Sequence, residues 1–80
     1  MSNWRKTLAR VMSGTADAAI RYDDLCLLLR RLGYTARQGG GSHRVFRMPG
    51  RDLINLQNAG GMAKSYQVRQ VRDQLGKFLE

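Results

Sequence analysis

The sequence contains a single histidine, His43, two residues beyond the glycine run Gly39-Gly40-Gly41. Three arginines lie close by in the chain, Arg37, Arg44 and Arg47. A lone histidine in a small domain is ordinarily a surface or hydrogen-bonded residue, but its cationic neighbours raise a more specific chemistry. RNA carries its own nucleophile, the ribose 2′-hydroxyl. Cutting it requires a base for that proton, a cation to steady the charge that builds on phosphorus, and an acid for the leaving oxygen. His43 is the candidate base. Arg44 or Arg47, with backbone amides near Gly41, are candidates to hold the phosphate, and Lys64 or Tyr66 to assist.

Other chemistries fit poorly. One cysteine, Cys26, cannot form an internal disulfide, and one histidine with one cysteine builds no zinc cluster. The acidic residues Asp17, Asp23, Asp24, Asp52, Asp73 and Glu80 are scattered along the chain, which argues against a two-metal nuclease. The expectation is no metal and no cofactor. The segment Gly39-Gly40-Gly41-Ser42 leads into a strand instead of a helix, so it reads as a hairpin turn and fails as a nucleotide-binding loop.

Charge narrows the partners. Lys and Arg number 14 against 6 acidic residues, for a net charge of +8 and a pI near 10.9. Such a field attracts phosphate backbones, anionic membranes or an acidic protein. The opening Met1-Ser2-Asn3-Trp4-Arg5-Lys6 leads into no continuous apolar run, so neither a signal peptide nor a membrane span is expected. A cytoplasmic protein of one domain, residues 1–80, is the expectation, monomeric on its own.

The elements that must position these residues follow from periodicity. Asn3 can cap a helix whose stripe is Trp4, Leu8, Val11 and Met12, ended by Gly14. This spacing makes Trp4 a packing residue more than a base-stacking one. Residues 15–21 read as a linker with Ile20 inserted into the core. A second helix is capped by Asp23, with Tyr22 and Leu27 as a hydrophobic staple. It buries Leu25, Leu28, Leu29 and Leu32, with Cys26 beside them as a small apolar residue, and stops at Gly33.

Three extended segments come next, over 34–38, 42–48 and 52–57. The glycine run joins the first two, and Met48-Pro49-Gly50-Arg51 has type II turn chemistry. Alternation along the middle strand puts His43, Val45 and Arg47 on one side, and Ser42, Arg44, Phe46 and Met48 on the other, with Phe46 and Met48 toward the helices. Residues 58–63 read as a flexible loop. Ser65 can cap a last helix with Val68, Val71, Leu75, Phe78 and Leu79 on one side, and Arg69 and Arg72 opposite as possible phosphate contacts.

The fold class is therefore α+β, an α-β-β-β-α order behind an extra N-terminal helix, with a three-stranded antiparallel sheet and helices on one face. That is the order of double-stranded RNA-binding domains, which read RNA by shape and phosphate contacts.

Several stretches match a known pattern: Tyr22-Asp23-Asp24-Leu25, Leu32-Gly33-Tyr34, Gly41-Ser42-His43 with Val45-Phe46, Ile54-Asn55-Leu56-Gln57, and the closing 66–72. From about Trp4 onward the chain resembles the HicA family of bacterial toxins, the mRNA interferases. The resemblance implies a double-stranded-RNA-binding-like fold, ribosome-independent cleavage of mRNA with His43 essential, and neutralisation by a HicB-type antitoxin, expected to be acidic. Family members often carry a basic residue before Gly-Ser-His, where this chain has Gly40, and often Lys-Pro-Tyr where it has Lys64-Ser65-Tyr66. The expected RNA contacts are Arg37, Gly41, Ser42, Arg44, Arg47, Lys64, Tyr66 and Arg69. The other class left open is a non-catalytic module that binds double-stranded RNA or another nucleic acid.

Overall fold

The first helix, α1 (Trp4–Ser13), starts where Asn3 accepts hydrogen bonds through Oδ1 from the backbone N–H groups of Arg5 at 3.0 Å and Lys6 at 3.4 Å. Those are donors that every helix N-terminus leaves without an internal partner. The computed structural model describes residues 3–79, with Phe78 and Leu79 as backbone only. The assignment of those two side chains to the apolar stripe of the last helix, the Glu80 carboxylate and the reading of Met1-Ser2 lie outside the described residues.

Val11 is fully buried, while Trp4, Leu8 and Met12 pack half-buried against the core as their spacing implies. After a 3₁₀ turn at Asp17–Ala19, Ile20 enters the core with 1% exposure. Helix α2 (Tyr22–Arg31) begins earlier than residue types suggested: Arg21 occupies the cap position, without a side-chain cap bond, and Asp23 does not cap. Asp23 and Asp24 sit in the first turn instead, where a carboxylate faces the positive end of the helix dipole. The staple positions move accordingly to Ile20 and Leu25, both in the core cluster. At the other end Gly33, at φ 105°, lets Tyr34 N–H reach the Leu29 carbonyl and its own N–H reach that of Arg30, the Schellman arrangement.

The sheet has four strands, one more than the sequence suggested: β1 (Thr35–Gln38), β2 (His43–Arg47), β3 (Ile54–Ala59) and β4 (Met62–Ala63), antiparallel in that order. Residues 58–63 are a tight hairpin and no flexible loop. Gly60 and Gly61, at φ 62° and 91°, make its two-residue turn, and Asn58 Oδ1 accepts from Gly61 N–H at 2.7 Å. Short as it is, β4 is tied to the segment before α2, through Ala63 N–H to the Ile20 carbonyl and Tyr22 N–H to that of Gly61, both 3.0 Å. The Met48–Arg51 turn closes as expected, with Gly50 at φ 79° and a 3.0 Å bond from Arg51 N–H to the Met48 carbonyl.

Helix α3 (Ser65–Leu79) takes Ser65 as its first residue. Lys64 holds the cap position, its carbonyl accepting from Gln67 and Val68 N–H at 2.9 and 3.0 Å. Phe46, Ile54 and Leu56 line the inner face of the sheet and meet Leu25, Leu28 and Leu29 of α2 and Val68, Val71 and Leu75 of α3 in one buried cluster. Helix α1 lies against α2 and α3. The alternate strand residues Thr35, Arg37, His43, Arg47 and Asn55 are exposed, so the opposite face of the sheet is open.

Arg72 fastens α3 to the chain's first half. Its guanidinium donates from Nη1 to Asp17 Oδ1 at 2.7 Å, from Nη2 to Oδ2 at 3.2 Å, and from Nη1 to the Val11 carbonyl at 3.2 Å. Cys26 is buried, and that burial pushes its thiol pKa up, as fits an inert apolar position. Among the described residues no helix is long and apolar enough to cross a membrane.

Candidate functional site

Local backbone geometry sets the orientation of His43. The turn before it is held by Gly39 N–H to the His43 carbonyl at 3.0 Å, by His43 N–H to the Gly40 carbonyl at 3.2 Å, and by Gln38 Nε2 to the Gly41 carbonyl at 3.0 Å. Gly41 sits at φ 61°, a conformation that glycine adopts at little cost. Within this turn His43 Nδ1 lies 3.1 Å from the same Gly40 carbonyl. A carbonyl oxygen only accepts, so Nδ1 is the protonated nitrogen. In the neutral ring Nε2 then carries the free lone pair, on an exposed side chain.

Register decides what stands beside that nitrogen. Pairing matches Thr35 with Arg47 and Arg37 with Val45 across β1 and β2, and His43 with Gln57 and Val45 with Asn55 across β2 and β3. The open face therefore carries Arg37 diagonal to His43, Arg47 four residues along the same strand, and the carboxamides of Asn55 and Gln57 on the other side. Asn58 N–H bonds to the Ser42 carbonyl at 3.1 Å, which makes His43 and Gln57 a non-hydrogen-bonded pair, the type with the closer side chains. β4 ends at Ala63, and Lys64 follows it directly as the cap residue of α3. Gly41 and Ser42 are exposed in the turn itself.

Arg44 is not on this face. Its neighbours on β2 alternate, and its guanidinium carbon sits 5.7 Å from the ring centroid of Tyr22, on the helix side. Burial raises the Tyr22 pKa, with the Arg44 charge acting against that rise. Of the two cations offered for the phosphate, Arg47 shares the His43 face and Arg44 packs beneath the sheet.

The α3 residues divide similarly. Tyr66, 48% exposed, accepts a long 3.4 Å hydrogen bond from Gln67 Nε2. Arg69 is exposed and close enough to Asp17 to help lower its pKa, whose principal cause is the Arg72 hydrogen bond. Arg72, considered for phosphate contact, is committed to Asp17 and Val11.

Two features were not singled out in the sequence. Gln57 is legible as open-face only once the strand phase is known, and as a neighbour of His43 only from the register. Gln67 is 4% exposed, and its Oε1 accepts the Gln57 backbone N–H at 2.9 Å, replacing a strand partner where β4 has ended.

A groove of about 320 Å³ lies elsewhere, between the start of β3 and α3, walled by Asp52, Leu53, Asp73 and Lys77 among others. Two carboxylates against one ammonium make it a poor seat for phosphate, so the shallow cationic face is the better candidate. Among the described residues no three metal-binding side chains gather. No protein-family model, curated protein or solved structure matches the chain.

Proposed function

We propose that the chain is a metal-independent endoribonuclease of the HicA type. In this reading it is a bacterial toxin acting on mRNA in the cytoplasm, held in check by an acidic HicB-type antitoxin. The four-stranded α+β architecture is read as a double-stranded-RNA-binding-like fold with an added N-terminal helix and one short extra strand. The observation that carries the proposal is the His43 ring: exposed on an open face, with Nδ1 committed to the Gly40 carbonyl and Nε2 left as a proton acceptor.

The chemistry balances without an added reactant. His43 Nε2 takes the 2′-hydroxyl proton as O2′ attacks phosphorus, the P–O5′ bond breaks, and O5′ is protonated by Lys64, Tyr66 or water. The products are a 2′,3′-cyclic phosphate and a 5′-hydroxyl. Arg37 and Arg47 flank the path of the backbone and supply positive charge.

The test is cleavage of a defined RNA by wild type and His43→Ala in excess EDTA. Wild type is expected to release the cyclic phosphate. His43→Ala should be inactive and no longer arrest growth, while remaining folded. An equally active His43→Ala overturns the assignment of the base, and loss of wild-type activity in EDTA overturns the metal-free scheme. Binding without any cutting by wild type leaves the nucleic-acid-binding module as the function.

A further inference from the structure

We propose that Gln57 is a substrate-contacting residue whose carboxamide donates a hydrogen bond to a non-bridging oxygen of the scissile phosphate beside His43. The inference rests on the ribonuclease reading and assigns a residue to that same site. Its basis is the His43–Gln57 pairing, in which Cα atoms are typically about 4.5 Å apart. Arg47 lies four residues along β2, roughly 13 Å away at about 3.3 Å per residue. When the ribose O2′ reaches Nε2 of His43, the adjoining scissile phosphate therefore lies nearer Gln57 than Arg47. Among the described residues the Gln57 carboxamide makes no hydrogen bond, whereas its backbone N–H is held at 2.9 Å by Gln67.

That asymmetry has a physical consequence. Gln67, 4% exposed and anchored in the first turn of α3, fixes the Gln57 backbone and so fixes where the free amide projects. A positioned neutral donor stabilises charge that develops on the phosphorane oxygens without needing reorganisation in the transition state. Gln67 is then a positioning residue that acts through Gln57 and touches no substrate itself.

The experiment measures kcat and KM on one RNA oligonucleotide for wild type, Gln57→Ala and Gln57→Glu, together with binding of the uncleavable 2′-deoxy analogue. Removing one preorganised donor should lower kcat about 100-fold while analogue binding changes by less than about threefold. Gln57→Glu keeps the side-chain length but sets a carboxylate against the phosphate, and should lose at least as much. Gln57 is partly exposed, so neither change should lower Tm appreciably. Wild-type-like kcat in both variants, or a loss confined to analogue binding, overturns this inference alone. A wild type that leaves RNA intact overturns the ribonuclease reading together with it.

Discussion

Replacing Gln67 with methionine isolates a single hydrogen bond in the support of the site. Methionine nearly preserves length and volume, so little cavity forms, but Gln57 N–H loses the acceptor now 2.9 Å away. Leaving a buried donor unpaired costs about 1–3 kcal/mol. Against that stands the removal of a buried amide whose own Nε2 makes only a 3.4 Å bond to Tyr66, worth about 1 kcal/mol in the opposite sense. The net loss is about 1 kcal/mol, which in a domain of this size lowers Tm by about 4–8 °C. Thermal unfolding followed by circular dichroism gives the first reading, and amide hydrogen exchange the second. Exchange at Gln57 should accelerate more than the global loss explains, because the opening is local. An unchanged Tm together with unchanged Gln57 protection would refute the view that Gln67 completes the edge of β3.

Three further outcomes are expected. The Asp17 carboxyl titrates below its ordinary 3.8 because Arg72 donates to it, so its stabilising effect is present above that pH and fades as pH falls through the lower folded value; the Tm gap between wild type and Asp17→Asn should shrink from pH 5 toward pH 2. Arg47→Ala should weaken RNA binding and reduce the slope of log K against log salt by roughly 0.7 if it contacts one phosphate of a single strand, whereas Arg44→Ala, on the helix side, should leave that slope unchanged. Tyr34 is 3% exposed and its hydroxyl is buried without a partner among the described residues, so Tyr34→Phe should raise stability by about 1 kcal/mol in urea unfolding.

Where local chemistry governs, the fold is legible in the sequence. Asn3 as a cap, Gly33 as a stop and Pro49-Gly50 as a turn each act within a few residues, and each is found as expected. The exceptions depend on partners far along the chain. A two-residue strand has no periodicity to read, and Gly60-Gly61 looks like slack until Ala63 is seen bonded to Ile20, 43 positions earlier by their numbers. The start of α2 fails for the same reason. Asp23 is a good cap by type, but Ile20 is anchored to β4 and buried, and Arg21 bridges to Met62, so the helix begins at Tyr22.

The site shows the same division in sharper form. Alternation along β2 correctly separates His43 and Arg47 from Arg44 and Phe46, yet nearness in sequence recommends Arg44 as a phosphate contact. Adjacent residues on a strand are on opposite faces, so the real neighbours of His43 come from other strands, and register alone selects them. Burial locks that register. Phe46 stands opposite both Ala36 and Ile54, and a one-residue slip would drive Arg37 under the helices while turning Ala36 outward. The cationic face is thus a consequence of the apolar one: Phe46 and Ile54, buried beneath the sheet, determine that Arg37 and Gln57 flank the imidazole.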